Sequence, residues 1–312
     1  MPHQPKVLVV GSINMDLVVR SAHMPQPGET VLGDGFVTNP GGKGANQAVA
    51  AARLGAVTHM IGRVGDDAFG QTLLESLRED GVNCDSVWVT EDTSTGVAMI
   101  IVDGRGENSI VVASNANFRL TPDDVFSRDE LFTDADVVLL QLELPLPTVR
   151  AAVQVARRHN CKVVLDPAPA PRSLCDTLCN VDVLSPNAGE AERITGKKAV
   201  EERVEKNVAM DLIARGAKAA VLKLGPRGAL VVTADEQFAT IPPCRVDVVD
   251  TTAAGDAFTA ALGVGIAQGR SLPHAAKFAN AAGALTCTRL GAQPAMPTLD
   301  EVLCLLADQQ DR

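Results

Sequence analysis

"DVVLLQLELPLPTVRAAVQVARRHNCKVVLDP", residues 136–167, contains the fold in small. Two apolar, β-branched runs, 136–144 and 162–167, flank a helical stretch at 147–160. Each run stops at a proline-rich break. Runs that are apolar throughout, not alternating, read as strands buried on both faces, which is how parallel strands read. The unit recurs. "KVLVVG" (6–11), "VDVLSPN" (181–187) and "AAVLKLG" (219–225) are further strands of this kind. Helical stretches lie at 45–56, 67–81, 201–217, 256–269 and 272–291. Strand and helix in alternation predict an α/β fold with a central, mostly parallel sheet flanked by helices. Two regions break the alternation. Residues 12–40 and 94–115 read as extended, with turn signals at Gly28, Gly33, Gly35 and "DGRGEN". Together they predict a small antiparallel sheet, inserted as a flap into one domain spanning 1–312.

Composition narrows the function. The chain has 312 residues, a formal net charge of −10, and 3% aromatics with no tyrosine and one tryptophan. The core must therefore be aliphatic, and a pocket of stacked rings is disfavoured. An acidic chain does not suit a nucleic-acid backbone. Any phosphate must be held locally, by backbone amides and a few cations. The seven cysteines show no metal-ligand spacing and read as reduced thiols. There is no signal-peptide pattern, and no apolar run nears the roughly 20 residues of a membrane helix. The expected location is the cytoplasm.

Four motifs could carry chemistry. In "NPGGKGANQAVAAARLG" (39–55), Gly41, Gly42 and Gly44 strip side chains from a turn that leads into a helix. Either something approaches that backbone closely, or it is only a flexible turn with Lys43 in solvent. It matches neither a P-loop nor G-x-G-x-x-G. In "LSPNAGEAERITG" (184–196), Asn187 and Glu190 follow a strand and open a helix, which fits a helix cap or a ligand site beyond the strand's carboxyl end. "LKLGPRGALVV" (222–232) reads as a turn between two apolar runs. In "DTTAAGDAF" (250–258), Asp256 could cap a helix, but capping does not account for Ala253, Ala254 and Gly255 before it. Small residues there expose successive amides that could hold a developing anion, with a carboxylate placed to take a proton from a hydroxyl.

Nine segments, in order, resemble the ribokinase family of carbohydrate kinases: "GSINMDLV", "PGETVLG", "GGKGANQAVAAARLGA", "QLELP", "DPAPA", "PNAGEAE", "LGPRG", "DTTAAGDAF" and "TRLGAQPAMP". The wording of the third and last is that of the ribose-phosphorylating branch. The resemblance implies ATP-dependent phosphorylation of D-ribose on its 5-hydroxyl, with Asp256 as general base and the amides of Ala253, Ala254 and Gly255 as anion hole. It implies sugar contacts at Asn14, Asp16, Gly42, Lys43, Asn46 and Glu143. It implies ATP contacts at Asn187, Lys223, Gly225, Arg227, Gly228, Gly255 and Asn280, with Glu190 serving Mg²⁺. An activating K⁺ is implied near Asp250, Thr252, Thr286, Arg289 and Gly291. Ala295 stands there where the family pattern has a serine. The flap becomes a lid over the sugar that also joins two subunits into a homodimer. Rival readings are a sibling kinase of deoxyribose or fructose, and a non-catalytic sugar-binding protein on the same scaffold. A dinucleotide-dependent oxidoreductase is disfavoured, because "GSINMD" lacks the glycine fingerprint.

Overall fold

A computed structural model describes residues 3–198 and 202–309. The strands in chain order are β1 (Lys6–Val10), β2 (Asn14–Ser21), β3 (Gly33–Gly41), β4 (Val57–Gly65), β5 (Val82–Thr90), β6 (Gly96–Val102), β7 (Asn108–Ala113), β8 (Val137–Leu140), β9 (Lys162–Leu165), β10 (Val183–Leu184), β11 (Ala219–Lys223), β12 (Ala229–Thr233) and β13 (Phe238–Ile241). Nine of them form one sheet in the order β13-β12-β11-β10-β9-β8-β1-β4-β5. Pairing is parallel from β11 to β5, and β12 and β13 add an antiparallel edge.

From β1 the chain winds outward one way through β4 and β5, then the other way from β8. The switch lies between β1 and β8, where ligands bind beyond the carboxyl ends of the strands. Segment 136–167 folds as read, but β8 stops at Leu140, so Gln141–Glu143 leave the sheet at that crevice. The helix read at 272–291 ends at Thr286.

Helices cover both faces, with an aliphatic core on each. The helix Ala254–Ala267 packs against the helices Lys43–Arg53 and Leu272–Thr286 and against β1 and β8. It is buried from Asp256 to Gly265, and its small residues permit that depth. A Cβ on Gly263 would lie 2.6 Å from Leu139 Cδ2.

The inserted sheet has the order β3-β2-β6-β7, drawn from the two expected regions. It is mixed, which corrects the antiparallel expectation. The hairpins β2–β3 and β6–β7 are antiparallel, but β2 and β6 join them in parallel. Each hairpin rises from the large sheet separately, and both rise the same way.

Candidate active site

The glycines of 41–44 settle what approaches their backbone: another stretch of this chain. Gly42 has φ 88°, and a Cβ there would lie 2.6 Å from Asn14 N. A Cβ on Gly41 would lie 2.3 Å from the Asp16 carboxylate, and one on Gly44 2.5 Å from the Gly11 backbone. The turn is thus pressed onto the segment between β1 and β2, a fit that other side chains would prevent. Lys43 is not simply solvated. It lies half-buried, its amide donates to Glu143 Oε2 at 3.3 Å, and Ser12 Oγ donates to the same oxygen at 2.5 Å.

Asp256 is not a helix cap. The cap position belongs to Ala253, in the left-handed region at φ 58°, with no side-chain capping bond. A non-glycine residue there costs about 1 kcal/mol, the kind of strain found at functional sites. Asp256, two residues into the helix, accepts from Asn46 Nδ2 at 2.9 Å and from Gln47 Nε2 at 3.4 Å. The amides of Ala253, Gly255 and Asp256 have no partner among the described residues, while that of Ala254 reaches Thr251 O at 3.3 Å. Free amides at the start of a 14-residue helix favour an anion.

Two cavities meet here. One, of about 210 Å³, is lined by Asn14, Asp16, Gly42, Lys43, Asn46 and Glu143, and roofed by Ala98, Ile100, Asn108, Ile110 and Val112 of the small sheet. The other, of about 320 Å³, is lined by Asp166, Asn187, Glu190, Lys223, Gly225 and Gly255. Lys43, Thr251, Ala253 and Asp256 line both. The first suits a polyol, with carboxylates to accept, amides to donate, and an aliphatic roof. Asn46 Oδ1 is buried without a partner, an acceptor left over for a ligand hydroxyl. Asn117 Nδ2 donates to Asn14 Oδ1 at 2.8 Å, so Asn14 is left to present N–H donors to the cavity.

Burial and like charge set the titration. Burial raises the Asp16 carboxyl to about 7, helped by Glu143 and Asp256 and opposed by Lys43. Burial likewise raises Asp256, against Lys43, and Asp166 pushes the same way as burial. Glu143 and Glu190 are raised, burial again being the main cause. Lys43 is held up chiefly by Asp256, against burial, so it stays charged. A desolvated carboxylate beside a fixed cation, in a cleft, is a common setting for an acid–base group.

The other residues singled out in the sequence divide. Asn187 and Glu190 do form the capping box, each donating its amide to the other's side chain at 2.8 Å, and they also line the second cavity. The cap reading of that motif is borne out, and its place beside the second cavity leaves room for the ligand reading. Arg227, Gly228 and Asn280 lie outside the two cavities. Arg227 pairs with the buried Glu205, Gly228 (φ 84°) packs on the Ile241 carbonyl, and Asn280 Nδ2 donates to Pro242 O at 2.8 Å. Around Asp250, Oδ1 accepts from Thr252 N and Oγ1 at 2.9 and 2.7 Å, and Oδ2 from the Gly291 amide at 2.9 Å. Burial pushes that carboxyl up, but these bonds outweigh it and hold it below its ordinary value. Thr286 donates its hydroxyl to Ala282 O, Arg289 pairs with Glu301, and Ala295 is fully buried.

Sequence reasoning missed Asp166, Gln47 and Gln141. Asp166 is 1% exposed, accepts from Lys223 Nζ at 2.8 Å and from Thr259 Oγ1 at 3.1 Å, and keeps Oδ1 unpaired. Its signal was present: an acid directly after a buried strand at the crevice edge, in "DPAPA".

The fold, with two adjoining cavities, one polar enough for a polyol and one facing a helix start that favours an anion, fits an enzyme that transfers a group from an anionic donor to a polyol. The chain belongs to the pfkB family of carbohydrate kinases, whose profile matches residues 4–299. It is 41% identical over 305 residues to a ribokinase of Schizosaccharomyces pombe, covering 95% of this chain and 96% of that one. It is 40% identical to a ribokinase of Bacillus subtilis, covering 96% and 99%. The solved structure of Arabidopsis thaliana ribokinase complexed with ribose and ATP superposes with a TM-score of 0.89 at 34% identity, covering 97% of this chain and 99% of that one.

Proposed function

We propose that this chain is an ATP-dependent ribokinase, transferring the γ-phosphoryl group of ATP to the 5-hydroxyl of D-ribose to give D-ribose 5-phosphate and ADP. The observation that carries the reading is the shared wall. Asp256, Lys43 and Ala253 belong to both cavities, so one carboxylate meets the incoming hydroxyl from one side and the phosphate chain from the other. Relatives named ribokinase, and the likeness to one that binds ribose and ATP, support the choice of substrates.

In this reading Asp256 takes the proton of the 5-hydroxyl as that oxygen bonds to the γ-phosphorus and the bond to the bridging oxygen breaks. The free amides of Ala253 and Gly255 and the Lys43 ammonium face the charge in flight; positioning and charge stabilisation are what phosphoryl transfer needs most. Asp16 and Glu143 accept from sugar hydroxyls, and Asn14, Asn46 and the Gly42–Lys43 turn complete the contacts. A deoxyribokinase of Salmonella typhi is a relative at 35% identity. A sugar without its 2-hydroxyl would leave a buried acceptor unpaired, at a cost of about 1–3 kcal/mol, which favours ribose.

Asn187, Lys223 and Gly225 of the second cavity would hold ATP, with Arg227, Gly228 and Asn280 as further contacts. Glu190 and Asp166 offer carboxylate oxygens, one of them an orphan, which suit Mg²⁺. Mg²⁺, when bound, neutralises the triphosphate. K⁺ fits the ionised Asp250 and the carbonyls of the loops it ties together, from Thr252 to Thr286, Arg289 and Gly291; Ala295 supplies no hydroxyl there. The small sheet acts as the lid of a single kinase domain. Its outer face exposes Phe36, Met99 and Val111, which pair two copies into a homodimer. All seven cysteines are free and no helix of the described residues is long and apolar enough to cross a membrane, which supports a place in the reducing cytoplasm.

The test is ADP formation across D-ribose, 2-deoxy-D-ribose, D-fructose and adenosine, with and without K⁺, beside Asp256→Asn. Ribose should be the best substrate and K⁺ should raise the rate. Asp256→Asn should lose on the order of 10³-fold in kcat while still binding ribose. Ribose binding by calorimetry without turnover of any sugar would replace this reading with the non-catalytic one.

A further inference from the structure

Gln47 sits one residue past the sugar-contact position Asn46 and is fully buried. Gln141 Nε2 donates to Gln47 Oε1 at 2.6 Å. With its oxygen occupied, Gln47 must turn its amide nitrogen the other way, toward Asp256 Oδ1 (3.4 Å) and Asp166 Oδ2 (3.5 Å). The two hydrogens of one NH₂ are thus shared between two carboxylates, and these belong to different halves of the site. Asp256 faces the sugar, whereas Asp166 holds Lys223 on the phosphate side. Gln141 Oε1 is buried and unpaired, and a Cβ on Gly11 would lie 2.2 Å from it. A polar side chain has therefore been kept in a tight, buried place where an aliphatic one would pack without an orphan atom. A core position with no task beyond packing would not favour that choice.

We infer that Gln47, anchored by Gln141, is a positioning residue for the base: it fixes the Asp256 carboxylate and keeps it ionised beside Asp166. The inference rests on the kinase reading of the same site. A base must arrive deprotonated, and an N–H donor pointed at Asp256 favours its carboxylate form and fixes its orientation. The charged groups facing Asp256 are Lys43 at the start of its helix, Asp166 after β9, Lys223 at the end of β11, Asp16 on β2 and Glu143 after β8. Gln47 changes the balance among them without adding charge.

The test is Gln47→Met, an apolar side chain of similar length, with Gln141→Met beside it, in the full chain. With ATP, Mg²⁺ and D-ribose, the acid limb of the kcat profile should move upward by about half to one pH unit in Gln47→Met. kcat at pH 7 should fall by about 10-fold or more while the ribose KM stays within about 3-fold. Gln141→Met should shift the limb the same way by less, since it frees the Gln47 amide to rotate. A loss of thermal stability with an unmoved acid limb in both variants would overturn the inference and make the pair a packing feature. The Asp256 carboxyl can also be titrated by ¹³C NMR, assigned by its absence in Asp256→Asn, and should ionise at higher pH in Gln47→Met. That readout needs no turnover. Absence of ribose phosphorylation by the wild type would therefore count against the kinase reading alone, and an unmoved titration against Gln47 alone.

Discussion

Asp16→Asn should make the ligand-free protein more stable and a worse sugar binder, and the gain should grow with pH. The Asp16 carboxyl is raised from 3.8 to about 7. A group whose folded pKa lies above its unfolded value costs stability once the unfolded chain has ionised it. The cost starts near pH 4, grows as pH rises, and levels off above about 7. A gap of about three pH units corresponds to about 4 kcal/mol in full, of which about 2.5 kcal/mol accrues between pH 5 and pH 8. Asparagine carries no charge at either pH and so removes that slope. For a chain of this size 1 kcal/mol moves Tm by about 2 °C, so the variant should gain roughly 5 °C on the wild type in going from pH 5 to pH 8. The assay is reversible thermal or urea unfolding of both proteins at the two pH values without sugar, followed by calorimetric titration of ribose. Ribose affinity should fall by about 10-fold or more, because an amide accepts more weakly than a carboxylate. An Asp16→Asn stability gain that is the same at pH 5 and pH 8 would refute the reasoning. It would mean that the carboxylate is comfortably ionised without its ligand.

Gly42→Ala should cost about 2–4 kcal/mol and abolish ribose binding, since it forces an L-residue to φ 88° and drives a Cβ against Asn14; urea unfolding and calorimetry read both. A charge at Met99 or Val111, which are 59% and 68% exposed on the outer lid face, should give a monomer by analytical ultracentrifugation with the fold intact. The same dispersed monomeric mass for the wild type would remove the dimer.

The alternation of strands and helices was legible because parallel strands buried on both faces leave unbroken apolar runs such as "DVVLL" and "KVVL". β4 was not read as a strand, because "VTHMIGRVG" has polar residues at His59 and Arg63 and a glycine between them. The parallel join of β2 to β6 was illegible for another reason: register between segments some 80 residues apart is decided by tertiary packing, not by local pattern. Within the site, residues in loops after strands could be found from their motifs. Gln47 could not, since one helical glutamine looks like any other until Gln141 and two acids from distant segments surround it. Asp256 fell between these cases. Its place at a helix start behind three small residues was readable, but the assignment of the cap to Ala253 depended on a backbone angle that alanine seldom adopts.

Asn14 and Asp16, which line the first cavity, lie at the root of β2, and Gly41 ends β3 beside them, so the pocket floor and the lid ribbon are one continuous piece of chain. Eight strand residues reach about 26 Å from root to tip. A tilt of about 10° at that root would carry the far turn near Gly28 through about 4–5 Å. Under the proposed function the ribbon is a lever whose fulcrum is the sugar cavity, and a fluorophore attached at that solvent-exposed turn would turn occupancy of the cavity into an optical signal with no alteration of its lining residues.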